Sequence, residues 1–406
     1  MKLLKIEVEK RLPVRLDKSI RSDGNELGSM TFGDNNDYPQ LIERLINGSA
    51  TAKAASNIYA KFLTGMGFVN KDINNISVGK DEKGKDIKLL RILRETCKSI
   101  SNNNGAYIHC NIKRDIKIKN TKTIPFKFCR FQKIDDTGYT SKIGVYENWD
   151  KDADISTRKK FNKNDIVWIN VFNLDKRVVI DQVNNVKGLS KYKGQINFLF
   201  MDNDYLYPLS PIDQVYLDCD TEQQIQVYKN RTIRDGFFDK VVFRVQPPDD
   251  KIEKEEFINK IKSFIGPDGD TVLVLEDEID EETKDVKQVG AFKIDKIEAN
   301  INDKLFENWE RSISNNIRKA YKALPALLID YEEGKLSTTS GESIIQATNY
   351  YNQITKDDRA SISEFFKEIY SKFDNEILAN NTNWDIEPLN LYDNGTTTEL
   401  LPATSD

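Results

Sequence analysis

The chain has 406 residues, 38% of them hydrophobic, 10% aromatic and 31% charged, and its 60 basic against 65 acidic residues leave a formal charge of −5. This balance excludes a disordered chain and the strongly basic domain of a general nucleic-acid binder, so that any contact with DNA is expected to be local or transient. The length allows two or three domains, and four scattered cysteines without a CxxC pair fit a reducing compartment rather than a zinc site or a disulfide framework.

From the N-terminus, the charge-interrupted MKLLKIEVEKRLPVRLDKS lacks the apolar core of a signal peptide. No run approaches the eighteen apolar residues of a membrane helix, so neither export by that route nor a membrane span is expected. Gly33-Asp34-Asn35-Asn36-Asp37 forms a turn, and Pro39 suits the first turn of a helix beginning near Asp37. Leu41, Ile42, Leu45 and Ile46 share a face and Gly48 interrupts. Ala52, Ala55, Ile58, Tyr59 and Phe62 then resume the spacing until Gly65 and Gly67, which predicts a helical pair closed by a turn. Gly65-Met66-Gly67 matches half of a dinucleotide fingerprint, but a helix precedes it and Asn70 stands where the third glycine belongs. A short helix is predicted over 89–100, followed by extended runs over 106–112, 126–131, 143–149 and 166–171, so the first half reads as α+β. Residues 151–163 read as a solvated hairpin or loop, and 183–194 as an irregular connection rich in Gly, Asn and Lys.

Ser210-Pro211 then reads as an N-cap and helix-starting proline, with Gly236 as the stop, giving a helix of about 25 residues and roughly 38 Å. Its apolar residues Ile212, Val215, Tyr216, Cys219, Ile225 and Tyr228 leave a polar middle over 220–224. That is a poor stripe for a buried core helix, and polar helical neighbours are expected. A strand over 241–245, a helix over 257–265, a strand over 271–275 and the closing VGAFKIDKI form a small unit between longer helices. Leu305 or Phe306, Trp309, Ile313, Ile317 and Tyr321 recur every four residues and predict a second long helix ending at Leu324-Pro325. After PALLIDYEEGKLSTTSGES comes a third. Ile344, Ile345, Thr348, Tyr351 and Ile354, then Ile362, Phe366, Ile369, Phe373 and Ile377, mark a helix over 342–378, roughly 55 Å long if unbroken, with TKDD as the place for a kink. One short strand and a tail complete the chain.

Chemistry is sparse. His109, the only histidine, adjoins Cys110, but neighbours on a strand point to opposite faces and do not make a nucleophile pair. GxxxxGK[ST], GxSxG and HExxH are absent, and Ser340 or Ser343 reads as a helix cap. The acidic run over 276–282 lacks the spacing and central glycine of a calcium loop and reads as a solvated edge. A two-metal nuclease would draw on Asp213, Asp218 and Asp220, yet on one helix Asp213 and Asp220 share a face that Asp218 does not. No catalytic residue, metal or cofactor is expected.

The order of these elements carries the information. The turn-rich YP start with helices ending in GMGF, the α+β body and YPLSPIDQVYLDCDTEQQIQVYKNRTIRDGFF come first. The small insert, NNIRKAYKALPALLI and STTSGESIIQATNYY follow. Together, over about residues 30 to 390, they resemble the portal proteins of tailed bacteriophages. The resemblance implies an α+β subunit with an α/β wing (1–208), a first stem helix (209–236), a small α/β clip (237–297) and a second stem helix (298–324). A tunnel loop (325–340) and a long wing helix with a short tail (341–406) would follow, and the helical crown of larger members would be short or missing. It implies a ring, usually of twelve subunits, at one vertex of the virion, through which double-stranded DNA is packaged and later ejected. Its partners would be the terminase large subunit, the head-tail connector, and the major capsid and scaffolding proteins, with no membrane. Carried onto this sequence, Asp330, Glu332, Glu333, Lys335, Ser337, Thr338 and Thr339 would face DNA in the tunnel loop, where acids outnumber the one lysine and contact would be by shape and weak polar groups. Asp213, Asp220, Gln224 and Arg318 would line the stem, and Lys251, Glu253, Glu276, Asp277 and Glu278 would dock partners at the clip. A metal-dependent nuclease and another ring-forming virion adaptor are the competing expectations.

Overall fold

The computed structural model describes residues 28–33, 35–136, 138–149, 163–202, 204–234, 240–244, 278–279, 286–287, 293–297, 303–329 and 340–390. They divide into two compact units, Met1–Asp220 with Ile313–Asp406, and Thr221–Ser312.

The first unit opens on α1 (Tyr38–Gly48) and α2 (Ala50–Thr64), the expected pair. Ser49 separates them by accepting the Ala52 N–H at 3.0 Å, an N-cap that starts α2 where α1 stops. Helix α3 (Lys71–Asn74), the hairpin β1 (Ser77–Lys80) and β2 (Asp86–Lys88), and α4 (Leu89–Asn103) follow. The sheet is built from β3 (Gly105–Ile112), β4 (Ile118–Ile124), β5 (Cys129–Phe131), β6 (Lys142–Val145), β7 (Val167–Val171) and, after α5 (Lys176–Asn185), β8 (Gln195–Phe200). Its order is β4-β3-β8-β7-β6-β5, antiparallel throughout except between β7 and β8. A parallel pair needs a crossover, and α5 supplies it. Residues 183–185, expected to be irregular, therefore close a helix, and residues 126–128 form a 3-10 turn rather than strand.

The fold is thus mixed α+β around a six-stranded mixed sheet. One face of that sheet, carrying Ile108, Cys110, Thr121 and Asn197, is buried against helices. The other carries the aromatic cluster of Tyr107, Phe126, Phe131, Phe198, Phe200 and Tyr207.

From Pro211 to Val215 the backbone is a 3-10 turn, and only then does α6 (Tyr216–Arg234) run, so the first long helix is shorter than its cap predicts. The second unit contains β9 (Lys240–Arg244) paired antiparallel with β12 (Lys293–Ile297), and β10 (Glu278–Ile279) paired with β11 (Val286–Lys287). The helix expected over 257–265 and the strand over 271–275 lie outside the described residues. Helix α7 (Asp303–Ala320) returns the chain to the first unit. The third long helix is two: α8 (Ser340–Ile354) and α9 (Lys356–Tyr370), broken at Thr355, where TKDD marked a kink. It stops at Tyr370, not 378. Phe373 instead bridges to Ile118, and α10 (Glu376–Ala379) follows.

The GMGF turn has a backbone role. Met66 N–H donates to Glu387 O and Val69 N–H to Asp385 O, at 2.9 and 2.8 Å, while Glu387 N–H donates to Gly67 O at 2.9 Å, so residues 385–387 dock on the turn as an added strand. At Gly65, φ is +52° and a Cβ would fall 1.9 Å from Glu387 O, which only glycine tolerates. Phe68 packs on Phe366 and Trp384. Among the described residues no helix is long and apolar enough to cross a membrane.

Candidate functional site

Two clamps hold the ends of the long helices in the first unit. The first grips the start of α6. Tyr38 Oη donates to Asp213 Oδ1 at 2.9 Å and accepts the Ser210 N–H at 3.1 Å. Phe32 stacks between Tyr38 and Tyr207, with ring centroids at 4.2 and 4.7 Å. Arg130, fully buried, keeps the preceding turn in place: Nε donates to Asn36 Oδ1 at 2.6 Å, and Nη2 to Asn36 O at 2.7 Å. A buried guanidinium is costly unless its donors are satisfied, and this one is spent on a turn at positive φ. Burial and the neighbouring carboxylate push the Tyr38 hydroxyl far above its ordinary range, so it stays a donor.

The second clamp closes the end of α7. Lys322 and Ala323 both lie in the left-handed region, at φ 57° and 54°, without a glycine to relieve them. Leu324 N–H reaches back to Arg318 O at 3.0 Å, satisfying one of the last carbonyls of the helix. Lys322 Nζ meets both oxygens of Asp358 on α9, at 2.7 and 2.6 Å, and Tyr59 Oη on α2 donates to Asp358 Oδ2 at 2.9 Å. Tyr351 Oη on α8 donates to Tyr321 O at 2.8 Å. Arg359 stitches the α8–α9 break, donating to Thr355 Oγ1 and Asn352 O, each at 2.7 Å, and to Phe62 O at 3.3 Å. Residues 326–328 form a 3-10 turn beside α8.

The sequence-predicted residues fare unequally. Asp213 is corrected: it is 5% exposed and receives Tyr38, so it does not face a channel. Asp220, Gln224 and Arg318 are half-buried on α6 and α7. Asp218, set apart by helical phase, accepts Asn316 Nδ2 at 3.4 Å, and among the described residues no group of three or more acidic, His or Cys side chains is arranged to hold a metal. Asp330, Glu332, Glu333, Lys335, Ser337, Thr338 and Thr339 lie outside the described residues, as do Lys251, Glu253, Glu276 and Asp277. Glu278 is placed only as a β10 backbone position. His109 and Cys110 do point to opposite faces; burial pushes the Cys110 thiol far above its ordinary value. The stripe of α7 is buried at Ile313 and Ile317 but not at Trp309, which is 47% exposed. Tyr59, Lys322, Asp358 and Arg359 were missed. Asp358 and Arg359 had one sequence signal, the polar run TKDDR on an otherwise apolar helical face, and Tyr59 and Lys322 had none.

No family model and no curated protein matches the chain. Among solved structures it is similar to a chain in the virion of a native gene transfer agent particle (TM-score 0.49, 10% identity, 83% of this chain and 81% of that one). It is also similar to one in the neck of the native particle computed with C12 symmetry (TM-score 0.44, 10% identity, 82% and 81%). An HK97-family phage portal protein from Corynebacterium diphtheriae is similar as well (TM-score 0.42, 8% identity, 75% and 84%). Over most of its length, the chain shares structural similarity with a phage portal protein and with chains of gene transfer agent virions and necks.

Proposed function

We propose that this chain is the portal subunit of a tailed phage or phage-like particle, closing with its copies into a ring at one capsid vertex through which duplex DNA is packed and released. Helices α6 and α7 are the stem, residues 237–297 the clip that receives the packaging motor and the connector, and 325–340 the tunnel loop. The sheet and its helices form the wing, which meets the capsid and scaffolding proteins.

The observation that carries this reading is the pair of long helices. Each buries one face, at Cys219 and Ile225 on α6 and at Ile313 and Ile317 on α7, yet turns large apolar side chains outward: Leu217 is 52% exposed and Trp309 47%. A large apolar side chain left at the surface of such a helix is suited to a further helical neighbour, which copies arranged around an axis supply. Half-buried Asp220, Gln224 and Arg318 fit the polar side of such a stem.

Light scattering on the purified protein tests this. The expected mass is about 560 kDa, twelve copies of a 46.8 kDa chain, and Leu217→Asp should release smaller species with an unchanged circular dichroism spectrum. A wild-type protein that is monomeric with and without scaffolding protein, at every concentration, contradicts the reading.

A further inference from the structure

The net charge of −5 hides a concentrated basic surface on the open end of the sheet. Residues 113–122 carry Lys113, Arg114, Lys117, Lys119 and Lys122 against one acid, Asp115, and residues 187–193 carry Lys187, Lys191 and Lys193 against none. The β3–β4 turn closes by Lys113 N–H to Lys117 O at 2.9 Å. Lys119 borders two adjoining grooves, one with Lys113, Arg114 and Leu189, the other, of about 360 Å³, with Lys80, His109 and Lys122. Leu189, and the 2.6 Å hydrogen bond between His109 Nε2 and Lys193 O, bring the second basic loop onto the same surface. Two of the cations are spent locally, Lys113 on Asp374 and Lys122 on Glu82. The other six, Arg114, Lys117, Lys119, Lys187, Lys191 and Lys193, are exposed and have no ion pair among the described residues. Their field is felt nearby: Lys113, Lys117 and Lys119 together hold the Asp374 carboxyl below its ordinary value.

We propose that this surface binds the phosphate backbone of duplex nucleic acid, outside any channel. Guarding the edge strand β4, whose start is already bonded to residues 372–374, against further pairing would explain lysines on β4, but not the three on the 187–193 loop, which is no edge. A protein partner fits poorly, since protein interfaces are depleted of Lys and enriched in aromatic residues and Met. Here Leu189 is the one large apolar side chain exposed along the two basic segments. Interfaces with DNA are instead strongly positive and polar. Lysine, a point charge without bidentate geometry, reads charge rather than sequence.

The test uses the full-length protein and a fluorescent, covalently closed duplex minicircle, which has no end to thread a pore, so the outcome is separate from whether a ring forms. Six phosphate contacts predict a log-log salt slope of about −5 between roughly 50 and 200 mM. Lys117→Glu/Lys119→Glu/Lys191→Glu should lower affinity at least about tenfold and flatten the slope by about three, while its melting curve stays that of the wild type. Lys53→Glu/Lys61→Glu/Lys356→Glu, the same charge change elsewhere, should bind as the wild type does. Equal losses in both triples, no binding of the circle, or preferential capture of poly-glutamate would overturn the proposal.

Discussion

Asp358 shows how much of this protein's order rests on single polar groups. Buried where α2, α9 and the end of α7 converge, it takes hydrogen bonds from Tyr59 and Lys322. Tyr59→Phe should cost about 1 kcal/mol, the usual net worth of one such bond, while Asp358→Ala leaves the Tyr59 hydroxyl buried without its acceptor and should cost about 2 to 3 kcal/mol; urea titration at neutral pH reads both. Thiols set a second residue-level effect. Burial pushes Cys97 up from 9.0 to about 12, and Cys110 and Cys129 higher still. The unfolded chain releases those protons near pH 9 and the folded one does not, so stability present in full below pH 9 is lost as pH rises from there through the folded values. Lys98, lowered by burial from 10.5 to about 8, has the opposite sign, but it is one group against three thiols. Denaturation midpoints should therefore fall between pH 8 and pH 10, and fall less steeply in Cys97→Ala/Cys110→Ala/Cys129→Ala.

At the scale of elements, the turn after α7 is strained and easy to probe. Ala323 at φ 54° pays the left-handed penalty that glycine escapes, so Ala323→Gly should raise stability by about 1 kcal/mol, read as a higher melting temperature. A decrease would mean the strain is absent. Elements with a clean period were legible: the α1–α2 pair, α4, and the kink at TKDD follow from apolar spacing and breakers alone. Strands β1, β2, β4 and β8 were not. β4, IKNTKTI, alternates too weakly, because Thr121 rather than a large apolar residue meets Tyr370. β8, QINFLF, is too short to be told from a helical fragment. Asp213 misled because a helix start was expected to be α-helical throughout; the 3-10 turn and the Tyr38 bond turn its carboxylate inward. The clamp at Asp358 joins residues about 300 positions apart, Tyr59 and Asp358, and no local pattern announces such a pair.

At the scale of the whole molecule, the proposed portal role is a claim about assembly, carried by the long helices α6 and α7. Buried polar groups such as Asp213, Asp358 and Arg359 serve helix ends, and Leu217 and Trp309 are 52% and 47% exposed. The central claim is that copies close around an axis. Electron microscopy of the purified protein, with end-on views classified without imposed symmetry, tests it most directly. A single class of closed rings with a central opening wide enough for duplex DNA is the predicted result. Compact particles without a central hole, or open filaments of variable length, would contradict it.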